Sequence, residues 1–275
     1  MSAVAAGLSP NWLALREPAD AAARAVELVE ELRRQLPAGG PVVIHDLGCG
    51  TGSMGRWLAP QLPGPQHWVL YDREADLLAH AAAASPAAAA DGTVVTVETR
   101  QRELGGLEPA ELAGASLVTA SALLDMLTVT EVERLVATCA DARCPVLFTL
   151  SVVGRVELSP ADPLDTTVAA AFNAHQRRTT GGRRLLGPDA ADTAADLFSR
   201  LGAEVLVRPS PWRLGAAEGE LAAAWFTGWL AAAREQRPQL TEATQDYARR
   251  RLAAAAEGRL GVTVHHRDLL VRPPR

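Results

Sequence analysis

Lysine is missing from this 275-residue chain: all 27 basic residues are arginine. That one-sidedness reads first as compositional bias and only second as chemistry. Against 32 acidic residues the formal net charge is −5, so the basic excess required by a general nucleic-acid or membrane-surface binder is absent. Aromatic residues make up only 4%, and alanine supplies much of the hydrophobic content. The three cysteines, Cys49, Cys139 and Cys144, form neither an even disulfide framework nor a zinc spacing, so a reduced, cytoplasmic protein without a metal site is the simplest reading. No apolar run is long enough to cross a bilayer; the longest, residues 81–90, is alanine broken by Ser85 and Pro86. The start, MSAVAAGLSPNWLAL, has no basic stretch ahead of a long apolar one, so no secretory leader is expected. A chain of this length buries a sizeable core without disulfides or metals.

What is present is alternation. Trp12 to Leu15 reads as a short apolar entry segment, and Pro18 as the first residue of a helix running to residue 36. In it Ala22, Ala25, Val29, Leu32 and Leu36 recur at three- and four-residue steps. Pro37, Gly39, Gly40 and Pro41 then stop it. The β-branched run VVIHDL at 42–47 predicts a strand buried on both faces. Further strands are expected at 67–72, 94–99, 117–121, 146–153, 203–207 and 262–271. Helices are expected at 54–62, 73–84, 131–142, 162–178, 188–201, 218–234 and 241–257. This pattern predicts an α/β doubly wound fold: a seven-stranded, mostly parallel sheet with helices on both faces.

The strongest local signal is Asp46-Leu-Gly48-Cys49-Gly50-Thr51-Gly52-Ser53, where the chain leaves a buried strand for a helix. Glycines there allow positive φ and let a ligand approach the backbone. Asp72 follows at the end of the next strand, where a carboxylate can accept hydrogen bonds from both ribose hydroxyls of a nucleoside. A dinucleotide site favours G-x-G-x-x-G with pyrophosphate at the helix start. Here the glycines run G-x-G-x-G, Ser53 takes the place of the third glycine, and Asp46 precedes the loop. A carboxylate beside the loop repels a pyrophosphate and suits a cationic ligand.

At these residues the chain resembles the class I, Rossmann-like S-adenosylmethionine-dependent methyltransferases. The resemblance covers residues 42–153 and implies S-adenosyl-L-methionine as cofactor, with S-adenosyl-L-homocysteine as product. It implies that Asp46, Gly48, Cys49, Gly50, Thr51 and Gly52 surround the methionine and ribose part. Asp72, with Arg73 beside it, would meet the ribose. The adenine contact of the family falls at Thr99-Arg100-Gln101-Arg102-Glu103, which lacks the usual aspartate and leaves Gln101 or Arg102. The stretch SLVTASALLD matches the family's fourth strand, so Ala120 and Ser121 would line the cleft, with Asp125 just beyond as a catalytic candidate or a helix cap. In many relatives an N-terminal segment covers the cofactor and supplies a cation to its carboxylate. Arg16 is the candidate, with Trp12 and Leu15 closing the pocket.

On the substrate side, Leu164, Val168 and Phe172 mark an apolar helix face that His175 shares. An inward His175 could orient or deprotonate an acceptor, or be a hydrogen-bonded core histidine. Asn173, Gln176 and Arg177 flank it, and Trp212 in SPWRL follows the sixth strand toward the cleft. Arg177, Arg178, Arg183 and Arg184 around Thr179-Thr180-Gly181-Gly182 form either an anion clamp or a solvated loop. Trp225 and Trp229 share a face and fit core or homodimer contacts.

One domain over residues 1–275 is expected. It comprises a helical cover (1–40), a cofactor-binding half (41–153) and a substrate-side half (154–275) with a helical insertion at 216–258. The function implied is methyl transfer to a small-molecule acceptor, with neither membrane nor nucleic acid as partner. The alternatives are a tRNA- or protein-modifying methyltransferase, a non-catalytic S-adenosylmethionine-binding module, and an NAD-dependent oxidoreductase.

Overall fold

A computed structural model of the chain describes residues 9–37 and 40–274. Of the cover expected over 1–40, residues 1–8, 38 and 39 lie outside the described residues, and Gly39 of the expected helix stop is among them.

Helix α1 (Pro10–Ala23) starts eight residues before the expected Pro18, which lies inside it. Ser9 caps it, its hydroxyl accepting from the Trp12 N–H (3.3 Å), and Pro10 occupies the first turn, where a missing N–H costs nothing. The single helix expected to residue 36 is two: Arg24 leaves the helical path (ψ 137°) and the chain restarts as α2 (Val26–Arg33).

The parallel strands are β1 (Val42–Leu47), β2 (Gln66–Asp72), β3 (Val95–Gln101), β4 (Leu117–Ser121) and β5 (Val146–Ser159). Between them run α3 (Ser53–Leu58), α4 (Ala75–Ala83) and α5 (Val129–Asp141). There follow α6 (Asp165–Gln176), a hairpin of β6 (Thr179–Thr180) and β7 (Arg183–Arg184), α7 (Ala190–Arg200), β8 (Glu204–Pro209) and β9 (Trp212–Leu214). Helices α8 (Gly219–Gln236), α9 (Leu240–Ala243) and α10 (Gln245–Ala256) precede the last strand, β10 (Gly261–Arg272).

The main sheet has eight strands, not the seven expected, in the order β3-β2-β1-β4-β5-β10-β8 with β9 also on β10. From β3 to β5 every pairing is parallel, while β10 runs antiparallel to β5, β8 and β9. The extra strand arises because β5 and β10 outrun their neighbours, and Trp212, Arg213 and Leu214 pair onto that overhang.

Side chains alternate across the sheet. Ile44, Trp68 and Leu70 pack under α2, α3 and α4 with Leu28, Leu32, Met54, Leu58 and Leu78. Leu47, Val69, Tyr71, Val118 and Phe148 face α5 and α7 through Val132, Leu135, Ala194 and Phe198. A third apolar cluster joins α6, α8 and α10 to the overhang through Val168, Phe226, Trp229, Tyr247, Trp212 and Val264. The order reverses between β1 and β4, so the carboxyl ends of the parallel strands open a crevice at that point, the usual ligand position in open α/β sheets.

Candidate active site

The floor of the crevice is the glycine loop between β1 and α3. Its Cys49 N–H donates to Tyr71 O (2.9 Å), extending the pairing with β2, and its Gly50 N–H donates to Asp72 Oδ2 (2.9 Å). Asp72 Oδ1 accepts from the Glu74 N–H (3.0 Å). The carboxylate thus braces the loop, and each oxygen keeps a lone pair for a further donor. Gly52 has φ +84°, and a Cβ there would sit 3.1 Å from Ala81 Cβ, so only glycine lets α3 start this close to α4. Leu13 of α1 lies over Gly50, its Cδ1 3.5 Å from where a Cβ would be. Glu17, one turn on, pairs with Arg56 of α3 (2.6 Å) and holds that helix down.

Asp46 is 1% exposed. Its Oδ1 accepts from Thr119 Oγ1 (2.7 Å) and its Oδ2 has no partner among the described residues. Burial pushes its carboxyl up to about 7, against the Thr119 hydrogen bond and the charge of Arg24, while the charge of Asp72 adds to the rise. Burial also pushes the Cys49 thiol up, so it is no nucleophile.

The cation at the loop is Arg24, a residue the sequence reading passed over. It is 2% exposed. Its Nη2 donates to Ser53 Oγ (3.2 Å) and Ser121 Oγ (3.1 Å), and its plane lies over Trp57 at 5.3 Å. Its Nε and Nη1 are buried without partners among the described residues, and burial pulls the guanidinium below its ordinary value. The only signal in the sequence was a lone arginine beside Ala25 on an alanine-rich helix face. Ser121 also accepts from Thr149 Oγ1 (3.0 Å), and Ala120 beneath it is buried.

Arg16 is engaged elsewhere: Nε and Nη2 donate to the two oxygens of Asp20 (2.9 and 3.1 Å), and the guanidinium covers Trp212 at 4.9 Å. Trp212, itself buried, donates from Nε1 to Asp20 Oδ1 (2.9 Å). The charge of Arg16 still reaches Asp125, which lies in the short turn Leu124–Met126 beyond β4 and is half-buried. Burial pushes the Asp125 carboxyl up to about 6, with Arg16 pulling the other way.

At the outer edge Gln101 Nε2 donates to Arg73 O (3.0 Å), and Arg102 pairs with Glu111 (2.7 Å). Arg102 also donates its N–H to Asp72 O (2.8 Å), placing both residues beside the ribose candidate, while Arg73 pairs with Glu74 (3.1 Å).

The substrate-side candidates are largely structural. His175 shares the expected face with Val168 and Phe172, but that face meets α8, not the crevice: Phe172 lies 6.4 Å from Trp229. His175 Nδ1 accepts from Arg178 Nη1 (3.2 Å), which leaves the ring proton on Nε2, 3.5 Å from Glu235 Oε2. Burial and Arg178 lower its pKa, which favours the neutral ring in this packed position. Asn173 Nδ2 donates to Gly154 O (2.7 Å), tying α6 to β5 where Gly154 takes a φ of +72°. Arg177 pairs with Asp189 (2.5 Å) and Arg183 with Glu131 (2.7 Å), so two of the four arginines of the expected anion clamp are internally neutralised. Gln176 Oε1 is buried and unpartnered among the described residues. Trp225 and Trp229 stack on each other at 5.3 Å, with Trp229 in the core.

No protein-family model and no curated protein sequence matches the chain. Solved structures do. A cyclopropane-fatty-acyl-phospholipid synthase-like protein from Lactobacillus casei is 15% identical, with a TM-score of 0.53 over 93% of this chain and 91% of that one. The YcgJ protein from Bacillus subtilis is 10% identical, with a TM-score of 0.50 over 91% of this chain and 100% of that one. With the strand order above, the chain shares with these structures a Rossmann-like, doubly wound α/β fold.

Proposed function

We propose that this protein is an S-adenosylmethionine-dependent methyltransferase acting on a small molecule. The observation that carries the reading is a pair of buried, unsatisfied charges on either side of the glycine loop. Asp46 offers a free oxygen, and Arg24 offers free Nε and Nη1. Such groups are costly to bury unless a ligand completes them. One anion and one cation suit a ligand end carrying both an ammonium and a carboxylate. A pyrophosphate would satisfy Arg24 and be repelled by Asp46, which disfavours a dinucleotide.

When bound, the cofactor supplies an electrophilic methyl group on a sulfonium. The chain's part is to bind, orient and exclude water. Asp72, braced by Gly50 and Glu74, presents its remaining lone pairs to the ribose hydroxyls. Leu13, anchored through α1, covers the loop from solvent. Asp125 is the candidate base for an acceptor whose proton must leave, because a carboxyl near 6 is ionised at neutral pH yet basic enough to take a proton. The small-molecule reading is supported by the ion pairs of Arg177 and Arg183, which reduce the basic charge that the β6–β7 region offers a nucleic acid.

Isothermal titration with S-adenosylhomocysteine tests the reading: binding at or below tens of micromolar is expected. Asp72→Ala should weaken it about tenfold or more, since it loses charged hydrogen bonds. No binding, alongside quenching of tryptophan fluorescence by NADH, would replace the proposal with the oxidoreductase reading.

A further inference from the structure

Asp268 lies in β10 between the crevice and the far edge of the sheet, and no feature of the sequence marks it. The pairing of β10 with β5 slips between Arg267 and Leu269, an irregularity of the kind that re-aims a side chain. The side chain is 1% exposed, yet both of its carboxylate oxygens accept hydrogen bonds. Oδ2 accepts from the Ala25 N–H (2.8 Å), and Oδ1 accepts from the Leu150 N–H (2.8 Å) and from Ser210 Oγ (2.5 Å).

Two of these donors lead to Arg24. Ala25 is the next residue in the chain, at the break between α1 and α2, so holding its N–H fixes the backbone from which the guanidinium projects. Leu150 sits at φ +56°, a left-handed conformation that a leucine adopts only when its surroundings impose it. That residue follows Thr149, whose hydroxyl donates to Ser121 Oγ, the acceptor of Arg24 Nη2. One carboxylate therefore fixes both the root of Arg24 and the partner at its tip.

We propose that Asp268 is a positioning residue for the amino-acid end of the cofactor, acting through Arg24. The proposal rests on the cofactor reading above, because it assigns the two free guanidinium donors of Arg24 to the ligand's carboxylate. Asp268 acts from behind Arg24: its side chain is buried, and its oxygens accept from Ala25, Leu150 and Ser210.

Two probes separate positioning from general damage: S-adenosylhomocysteine, and 5′-methylthioadenosine, which has the same nucleoside without the amino-acid end. Asp268→Asn keeps the shape but turns an N–H-bearing amide nitrogen toward at least one of the three donors. It should weaken S-adenosylhomocysteine about tenfold or more and change 5′-methylthioadenosine by less than about twofold. Arg24→Gln should show the same selectivity, and the double variant should lose little beyond either single one, because the two residues act in series. Equal losses on both probes, no loss on either, or additive losses would overturn the proposal. Should Asp268→Asn fail to fold, Ser210→Ala removes one donor and keeps the carboxylate. A smaller loss confined to S-adenosylhomocysteine is then expected, and an unselective or absent loss overturns the proposal. A wild-type protein that binds neither probe would refute the cofactor reading itself. A wild-type protein that binds both, with unselective variants, would refute only the role of Asp268.

Discussion

Replacing Asp46 with asparagine should stabilise the ligand-free protein increasingly as the pH rises. Burial holds the Asp46 carboxyl at about 7, against 3.8 for an ordinary aspartate, so the folded chain prefers its protonated form. The stabilisation this preference contributes is fully present below about pH 3.8 and is lost as the pH climbs through 7. At 1.36 kcal/mol per pH unit, a gap of about three units costs about 4 kcal/mol once the group is ionised, and about 1.6 kcal/mol at pH 5. Asparagine never ionises and can still accept from Thr119 with its amide oxygen. The stability of Asp46→Asn minus that of wild type should therefore grow by about 3 kcal/mol between pH 5 and pH 8. Urea denaturation followed by tryptophan fluorescence reads this directly. The pulls of Arg24 and Asp72 on the Asp46 charge are already contained in the value of about 7, so they need no separate allowance. The same substitution should weaken S-adenosylhomocysteine about tenfold, since the ammonium loses its counter-charge. A stability difference that stays flat with pH within about 0.5 kcal/mol would show that Asp46 is not a buried, strained acid, and the cation-site argument would fall with it.

For an acceptor that loses a proton, turnover should rise with pH through about 6 and level off above it, as the Asp125 carboxyl ionises. Asp125→Asn should lower kcat by roughly 100-fold or more and leave cofactor affinity unchanged; an unaltered pH–rate profile would remove Asp125 from the chemistry. Gly52→Ala puts a Cβ 3.1 Å from Ala81 Cβ and 3.2 Å from Ala81 Cα at φ +84°. The expected cost is about 2 kcal/mol, a fall in Tm of about 4–8 °C by calorimetry, and a shift under about 1 °C would contradict the close packing of α3 on α4.

The parts of the site that were legible in the sequence are those made by neighbours along the chain. Asp46, the three glycines and Asp72 belong to one strand–loop–helix–strand unit, so their spacing already carries their geometry. The alternation of β-branched runs with amphipathic stretches likewise determined the parallel sheet and its helices. Periodicity also placed Val168, Phe172 and His175 on one face of α6 correctly. It could not say that the face meets α8, because a helix's neighbour is chosen by tertiary packing.

Arg24 was illegible for the same reason. Its acceptors, Ser53 and Ser121, stand 29 and 97 residues away, and Asp268 reaches Ala25 across 243 residues. The eighth strand depended on how far β5 and β10 outrun their neighbours, a length set by pairing and not by local propensity. By itself the sequence determined the class of fold and the glycine loop at the crevice, since both follow from hydrophobic period and glycine conformation. Only the tertiary structure decided which arginine stands at that loop, because whether a buried charge is matched or left free depends on groups that meet only when the chain has closed.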